Sequence, residues 1–410
     1  MSTIQDLFQQ AQLAEAAYAN FLDTSGNLIT TNAGVSTALQ NDGMSEQQAA
    51  EFVKHWRVVR HQPDTSSGFS ATLFERLNSE QQPTGQYTLA IRGSSEPADW
   101  TADFFDLALG GVAYGQVQSM VNYVLRLQAG SLGTTQQVEP TLVAGAPTLS
   151  SAFVSGEGPG INPSMLTVSR HSLGGYLAQI YQRIFGSAGV YTFNSLGVPQ
   201  PDAQILNYFT SLLGLPAGNF SSSTGENLMV PGEPAQLVGT IQGKPQIAIF
   251  TETESATINP IDTAPAHYKE PLVDALALYS LFATIDPALN TANPADGIAK
   301  ITRILKAASA DASKSLELTL DALRTLFQQN YQYGQLEYDA VPTLDSGTAV
   351  SRNDYYANLQ SLQAWLKDNP LPGLAIQPLA ETSAAQIAAL ALADTAEGMP
   401  VNDVEWEVAA

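Results

Sequence analysis

The chain has 410 residues, which is enough for two domains or for one large domain with an appendage, and 44% of the residues are hydrophobic. Its formal net charge of −22 argues against a nucleic-acid partner, because the few basic side chains cannot neutralise phosphates, and against docking on anionic membranes by charge alone. The absence of cysteine excludes a thiol nucleophile, thiolate zinc and disulfides.

The N-terminal segment lacks the basic region and the apolar region of an ordinary secretory signal. No apolar run approaches the length of a transmembrane helix, so transmembrane anchoring is not expected. The lack of cysteine is compatible with either redox compartment and suits a bacterial protein that is exported unfolded. We expect an extracellular protein that leaves the cell without an N-terminal signal. A cytoplasmic location is the alternative.

The first part of the chain predicts two helices followed by an antiparallel meander. Apolar residues recur on one side of 4–21, and a capping box opens a second helix at 45–55. A further helix is predicted at 116–128, and the Gly-, Ser-, Thr- and Pro-rich residues 129–164 predict a long surface excursion. The strand-like runs of the meander, separated by turn sequences, are Trp56–His61, Ser70–Arg76 and Tyr87–Ile91.

Residues 166–185 predict a strand, a sharp turn with a serine at its apex, and a helix. The turn is His171-Ser-Leu-Gly174, and the arrangement matches a nucleophile elbow, in which a strand, G-x-S-x-G and a helix follow one another. Such a turn lifts the serine hydroxyl clear of the sheet, and the helix N-terminus offers N–H groups to a developing oxyanion. The first glycine of the pattern is Arg170 in this chain. We expect the turn to accommodate it, with its side chain either extending outward along its aliphatic stem or pushing the turn open.

Strand and helix patterns alternate around this turn, and this predicts an α/β fold with an α/β-hydrolase-type sheet that carries helices on both faces. We place a boundary after residue 288, so that 1–288 form the catalytic domain and 289–410 form a mostly helical C-terminal region. The remaining predicted strands are Val190–Asn194, Asn219–Thr224 and Ile247–Glu252. The helices predicted after the last strand are 271–285, 297–309, 312–330, 352–367 and 383–394.

Serine hydrolysis needs a nucleophile, an imidazole base, a carboxylate that orients the base, and donors for the oxyanion. The elbow makes Ser172 the nucleophile, and the chain has four histidines as candidates for the base. His171 lies inside the turn, where its ring points away from the hydroxyl, and His55 and His61 precede the serine. Because the chain order of this architecture is Ser, acid, His, we predict that His267 is the base.

The acid should follow a strand between the nucleophile and the base. We favour Glu226, because it follows the predicted strand at 219–224 with Gly225 as the turn, and we rank Glu233 second and Asp262 third. A glutamate can take the place of an aspartate here, because only its charge and its orienting hydrogen bond are needed.

Two backbone donors are predicted for the oxyanion. One is the N–H of Leu173, which follows the nucleophile, and the other is the N–H of Ser94, in the glycine turn that ends an earlier strand. A soluble protein rarely leaves large apolar groups exposed without a reason. The amphipathic segment after this turn carries several of them beside the predicted site: Trp100, Phe104, Phe105 and Leu107.

Two motifs together resemble the class 3 (fungal-type) lipase family and its bacterial relatives, over residues 10–280. They are Arg92-Gly-Ser-Ser-Glu-Pro-Ala-Asp-Trp100-Thr-Ala-Asp103 and Leu-Thr-Val-x-x-His-Ser-Leu-Gly-Gly. The resemblance implies that Ser172 is the nucleophile, that Ser94 and Leu173 form the oxyanion hole, and that 96–107 form a lid that contacts substrate. It also implies hydrolysis of triacylglycerols, phospholipids or related lipid esters at a lipid–water interface, without a metal in the chemistry.

The chain departs from the family pattern in three respects. Arg170 replaces the elbow glycine. The Asp-x-Val-Pro type segment of the family has its nearest match in Glu226-Asn-Leu-Met-Val-Pro231, which has one residue too many and a different acid. Many bacterial relatives add a calcium-binding repeat domain for export, and no such repeat is visible in this chain.

We therefore expect a serine carboxylic-ester hydrolase, a triacylglycerol lipase with a mobile lid, that requires no cofactor; structural calcium is compatible with the sequence but not indicated by it. The alternatives on the same fold are a phospholipase A1 and a polyester or small-ester hydrolase. Arg170 and the missing aspartate also leave open a catalytically weak hydrolase fold that binds lipid or protein. A further alternative is an exported effector whose C-terminal third binds a partner or carrier.

Overall fold

The structure is a computed structural model. It describes residues 2–93, 114–139, 147–197, 203–216, 225–232, 245–252, 267–290, 293–308, 315–328, 330–331, 348–371 and 374–376. The strand predicted at 219–224 and the helix predicted at 383–394 fall outside these ranges.

The described strands build a mixed sheet of seven strands and a separate antiparallel pair. In chain order they are β1 (Trp56–Gln62), β2 (Ala71–Leu77), β3 (Pro83–Ile91), β4 (Thr134–Glu139), β5 (Thr148–Ser155), β6 (Thr167–His171), β7 (Gly189–Phe193), β8 (Asn227–Met229) and β9 (Gln246–Ala248). The order in the large sheet is β1-β2-β3-β6-β7-β8-β9, antiparallel from β1 to β3 and parallel from β3 onward. The carboxyl ends of β3, β6, β7 and β8 therefore meet at one edge, which is where ligand sites of such sheets lie.

Helices account for most of the remaining described chain. In order they are α1 (Ile4–Ala16), α2 (Asn32–Asn41), α3 (Glu46–His55), α4 (Tyr114–Ala129), α5 (Gly174–Phe185), α6 (Ala203–Leu212), α7 (Lys269–Ile285), α8 (Pro294–Ala307), α9 (Ser315–Phe327) and α10 (Thr348–Asp368). Side-chain oxygens cap several N-termini, as where Ser45 accepts the Gln48 N–H at 3.0 Å.

Helices cover both faces of the sheet. Successive residues of a strand point to opposite faces, so that each strand packs against both layers of helices. In β6, Val168 packs into an apolar cluster with α4 and α5. The next residue, Ser169, points the other way and donates its hydroxyl hydrogen to the Gln10 carbonyl of α1 at 2.5 Å. The described chain is thus a mixed α/β fold, as predicted.

A second apolar cluster joins α1, the β7–β9 side of the sheet and the four helices from α7 to α10. At the junction, the Ile4 N–H donates to the Asn290 side-chain oxygen at 2.9 Å. Buried contact therefore extends across the boundary placed after residue 288, and the division into two domains stays a prediction. Members of the cluster include Phe193, Leu228, Leu276, Leu320 and Leu362.

Two regions differ from the expectations. The surface excursion predicted at 129–164 contains β4 and β5, which pair with each other. Their β-branched residues favour strands despite the Gly- and Ser-rich surroundings, and Asn122 of α4 ties the pair down by accepting the Val138 N–H at 2.6 Å. The helix α2 lies in a stretch where no element is predicted, and the first helix ends at Ala16 instead of residue 21.

Candidate active site

The turn after β6 has the geometry of a nucleophile elbow. Ser172 has a φ angle of 60°, a backbone conformation that residues other than glycine rarely adopt. The turn is closed by the Gly175 N–H, which donates to the Ser172 carbonyl at 2.8 Å, and it is tied to β7 by the Ser172 N–H, which donates to the Phe193 carbonyl at 3.1 Å. A Cβ at Gly175 would lie 2.1 Å from the Ser195 Cβ, so the close packing of α5 against the end of β7 requires glycine there.

The structure brings His267 to Ser172. The imidazole Nε2 of His267 lies 2.7 Å from the Ser172 hydroxyl oxygen, and both residues are buried. Burial lowers the pKa of His267 from 6.5 to about 3, because the charged ring would lose its hydration. The ring is therefore neutral, so that Nε2 accepts the serine hydrogen, which is the state a general base needs.

The end of β3 lies against the same turn. A Cβ at Gly93 would lie 2.8 Å from both the Ser172 Cβ and the His171 carbonyl oxygen. Leu173 caps α5 at the turn, and no acceptor within the described residues takes its N–H. This leaves the Leu173 N–H available to an oxyanion. Ser94, the other predicted donor, lies outside the described residues, as do Trp100, Phe104, Phe105 and Leu107.

Arg170 is fully buried, which excludes the first of the two expected arrangements, in which its side chain extends outward. None of its guanidinium nitrogens meets a hydrogen-bond partner within the part of the chain that is described, and burial lowers its pKa well below the usual range. The turn around Ser172 is nevertheless closed. The absence of a side chain at Gly174 leaves space for Arg170, since a Cβ there would lie only 3.3 Å from the Arg170 Cβ.

Glu226 lies at the wrong end of its strand for the predicted role. It directly precedes β8, and its carbonyl accepts the Thr192 N–H at 3.0 Å. Ser172 instead comes after the carboxyl end of β6. The residue after the carboxyl end of β8 is Val230, whose N–H donates to the Asn194 side-chain oxygen at 2.9 Å. This position does not favour Glu226 as the acid, and Glu233 and Asp262 lie outside the described residues.

His171 and Tyr18 belong to the site, although sequence reasoning assigned them no part in it. The His171 ring bonds through one nitrogen to the Tyr18 hydroxyl at 2.9 Å and through the other to the His267 carbonyl at 2.6 Å. The position of His171 beside the serine is the one signal of its role in the sequence. Tyr18 offers none, because it lies in the segment after α1, far away in the chain.

The described residues contain no group of three or more histidine, aspartate or glutamate side chains that could hold a metal ion. Among them there is also no helix with the length and apolar character needed to cross a membrane. No protein-family model matches the chain, and a search of curated proteins finds no match.

Proposed function

We propose that this protein is a serine carboxylic-ester hydrolase of the triacylglycerol lipase type, built on an α/β-hydrolase-type sheet. The observation that carries the proposal is the 2.7 Å contact between His267 Nε2 and Ser172 Oγ, at a strand–turn–helix whose serine has a positive φ. A serine hydroxyl bonded to a neutral imidazole is the arrangement that activates a nucleophile for acyl transfer.

In the proposed reaction His267 takes the Ser172 hydroxyl proton while Oγ attacks the ester carbonyl carbon. The Leu173 N–H, together with the N–H predicted at Ser94, donates to the carbonyl oxygen as it becomes negative. His267 then gives its proton to the leaving alcohol. Water, deprotonated by His267, attacks the acyl-enzyme, which releases the acid and restores the Ser172 hydroxyl.

Lipid esters are the proposed substrates on two grounds. The lipase-like motifs that begin at Arg92 and at Leu166 flank the two strand ends that meet at Ser172. The segment at 96–107 carries four large apolar side chains, which suit contact with acyl chains or with a lipid–water interface.

The test is covalent labelling of Ser172 by a fluorophosphonate, mapped by peptide mass spectrometry. We expect labelling of the unmodified chain and its loss in Ser172→Ala and His267→Ala. The matched controls are Ser169→Ala, which removes a buried serine of β6, the strand before the turn, and His55→Ala, which removes an exposed histidine. Both controls should retain labelling.

Absence of labelling, or labelling elsewhere, would refute the hydrolase proposal and favour a fold that only binds lipid or protein. Hydrolysis of triacylglycerols, phospholipids and soluble short-chain esters then separates the substrate classes. We expect a preference for long-chain esters and faster turnover of aggregated than of dispersed substrate.

A further inference from the structure

Both ring nitrogens of His171 are engaged, although the proposed reaction does not use this residue. Nε2 lies 2.6 Å from the His267 main-chain oxygen, and Nδ1 lies 2.9 Å from the Tyr18 hydroxyl. Because a carbonyl oxygen only accepts, Nε2 carries the hydrogen, and the neutral ring accepts the Tyr18 hydroxyl hydrogen at Nδ1. A directed chain of hydrogen bonds therefore runs from Tyr18 through His171 to the backbone of His267.

Tyr18 is itself held in place from two other sides. The Lys269 ammonium lies 4.7 Å from the centroid of its ring, in a cation–π contact. Its hydroxyl would lie 2.6 Å from a Cβ at Gly93, so the approach to the turn requires glycine at that position. Burial raises the pKa of Tyr18, which keeps the hydroxyl protonated and able to donate.

The segment that carries His267 is consequently anchored at two points. His171 binds the carbonyl of His267, and two residues further on the Lys269 ammonium lies 3.6 Å from the carboxylate of Asp42, which belongs to the distant segment after α2. Tyr18 contacts both anchors, one through its hydroxyl and the other through its ring. Displacing a reacting group by about 1 Å can cost about 100-fold in rate, so these anchors bear on the reactivity of Ser172.

We propose that Tyr18 and His171 form a positioning pair, which fixes the backbone of His267 and thereby holds its Nε2 at the Ser172 hydroxyl. Their hydrogen bonds end at the His267 backbone and not at Ser172 Oγ or His267 Nε2, and the His171 ring also packs against the His267 ring, with 5.0 Å between the ring centroids. The inference rests on the proposed hydrolase function, and the two residues act on the same site through the backbone of His267.

The first test compares Tyr18→Phe with Tyr181→Phe. Tyr18→Phe keeps the ring beside Lys269 and removes only the hydroxyl. Tyr181→Phe removes the hydroxyl of a tyrosine on α5, which donates to the Pro163 carbonyl at 2.7 Å. We expect the maximal rate of fluorophosphonate labelling to fall at least about tenfold in Tyr18→Phe, with the half-saturating concentration unchanged, and to stay constant in Tyr181→Phe. Thermal unfolding should shift comparably in both variants.

The second test is rescue at His171. His171→Gln retains an amide N–H that can reach the His267 carbonyl, whereas His171→Leu has no donor. We expect the glutamine variant to label within a few-fold of Tyr18→Phe and the leucine variant to label more slowly than either.

The outcomes separate the two ideas. If the unmodified chain is labelled and Tyr18→Phe matches Tyr181→Phe, or if His171→Leu matches the unmodified chain, the positioning pair is refuted and the hydrolase proposal stands. If the unmodified chain is not labelled at all, the hydrolase proposal fails and the inference fails with it.

Discussion

His267 and Ser172 lie 95 positions apart in the chain, and their side chains meet with 2.7 Å between Nε2 and Oγ. The contact is buried, so a positive charge on the imidazole would lose its hydration. Its pKa, lowered to about 3, keeps the proton-accepting form present well below neutral pH.

The rate of Ser172 labelling should therefore persist in mild acid. Labelling is lost as the pH falls through the folded-state pKa of His267, near 3, and not through 6.5. A histidine of ordinary pKa would be about 90% protonated at pH 5.5 and would lose about tenfold in rate. The measurement is the fluorophosphonate labelling rate between pH 7.5 and pH 5.5, with circular dichroism to verify that the protein stays folded. A tenfold loss over that interval would contradict the prediction.

The orienting acid can be found with amide variants of the three candidates. We expect Glu226→Gln to retain labelling, because Glu226 precedes β8 at the edge of the sheet away from Ser172. Glu233→Gln should reduce labelling about 100-fold or more, because Glu233 directly follows the segment that leaves the carboxyl end of β8. Asp262→Asn is the third comparison, and a loss confined to it would identify Asp262 as the acid. A loss confined to Glu226→Gln would instead identify Glu226 as the acid.

Replacing Arg170 by methionine should raise the free energy of unfolding by about 1–3 kcal/mol, because a buried cation without hydrogen-bond partners is removed while a similar apolar length is kept. Urea unfolding measures the change. Arg303→Met, at an exposed position of α8, is the control and should stay within about 0.5 kcal/mol. A less stable Arg170→Met would show that the guanidinium makes stabilising contacts after all.

Arg352 is expected to hold α10 to the remainder of the chain. From α10 it reaches Glu15 of α1 at 3.0 Å and Asp274 of α7 at 2.7 Å, and it also donates to the Gly43 carbonyl. Burial raises the pKa of Glu15 to about 7, and Arg352 opposes that shift. Arg352→Met would leave buried carboxylates unpaired and should cost about 3–5 kcal/mol of unfolding free energy.

The control for that substitution is Lys54→Met. Lys54 pairs with Glu51 on the surface of α3, where the side chains are 55% and 40% exposed, and such pairs contribute at most about 1 kcal/mol. Urea unfolding of both variants gives the comparison. Equal losses in the two variants would show that the buried network does not hold α10 in place.

Most of the local elements could be predicted because their signals lie within short windows. The meander from β1 to β3, the strand–turn–helix around Ser172 and the helices α7 to α10 are present in the structure close to their predicted bounds. Where composition and propensity disagreed, as at β4 and β5, composition gave the wrong answer, because pairing and contact with α4 stabilise strands that the local sequence only weakly favours.

For the site, sequence by itself determined that Ser172 stands at the apex of an elbow, since strand, turn and helix signals are contiguous. Chain order among four histidines also predicted His267 as the partner of this serine. Only the tertiary structure decided that Glu226 precedes its strand and that the Arg170 side chain is buried. The same holds for the hydrogen bond between Tyr18 and His171, which are 153 positions apart. These depend on the relative placement of distant segments, and a hydrogen bond or a buried charge has no local pattern that encodes its partner.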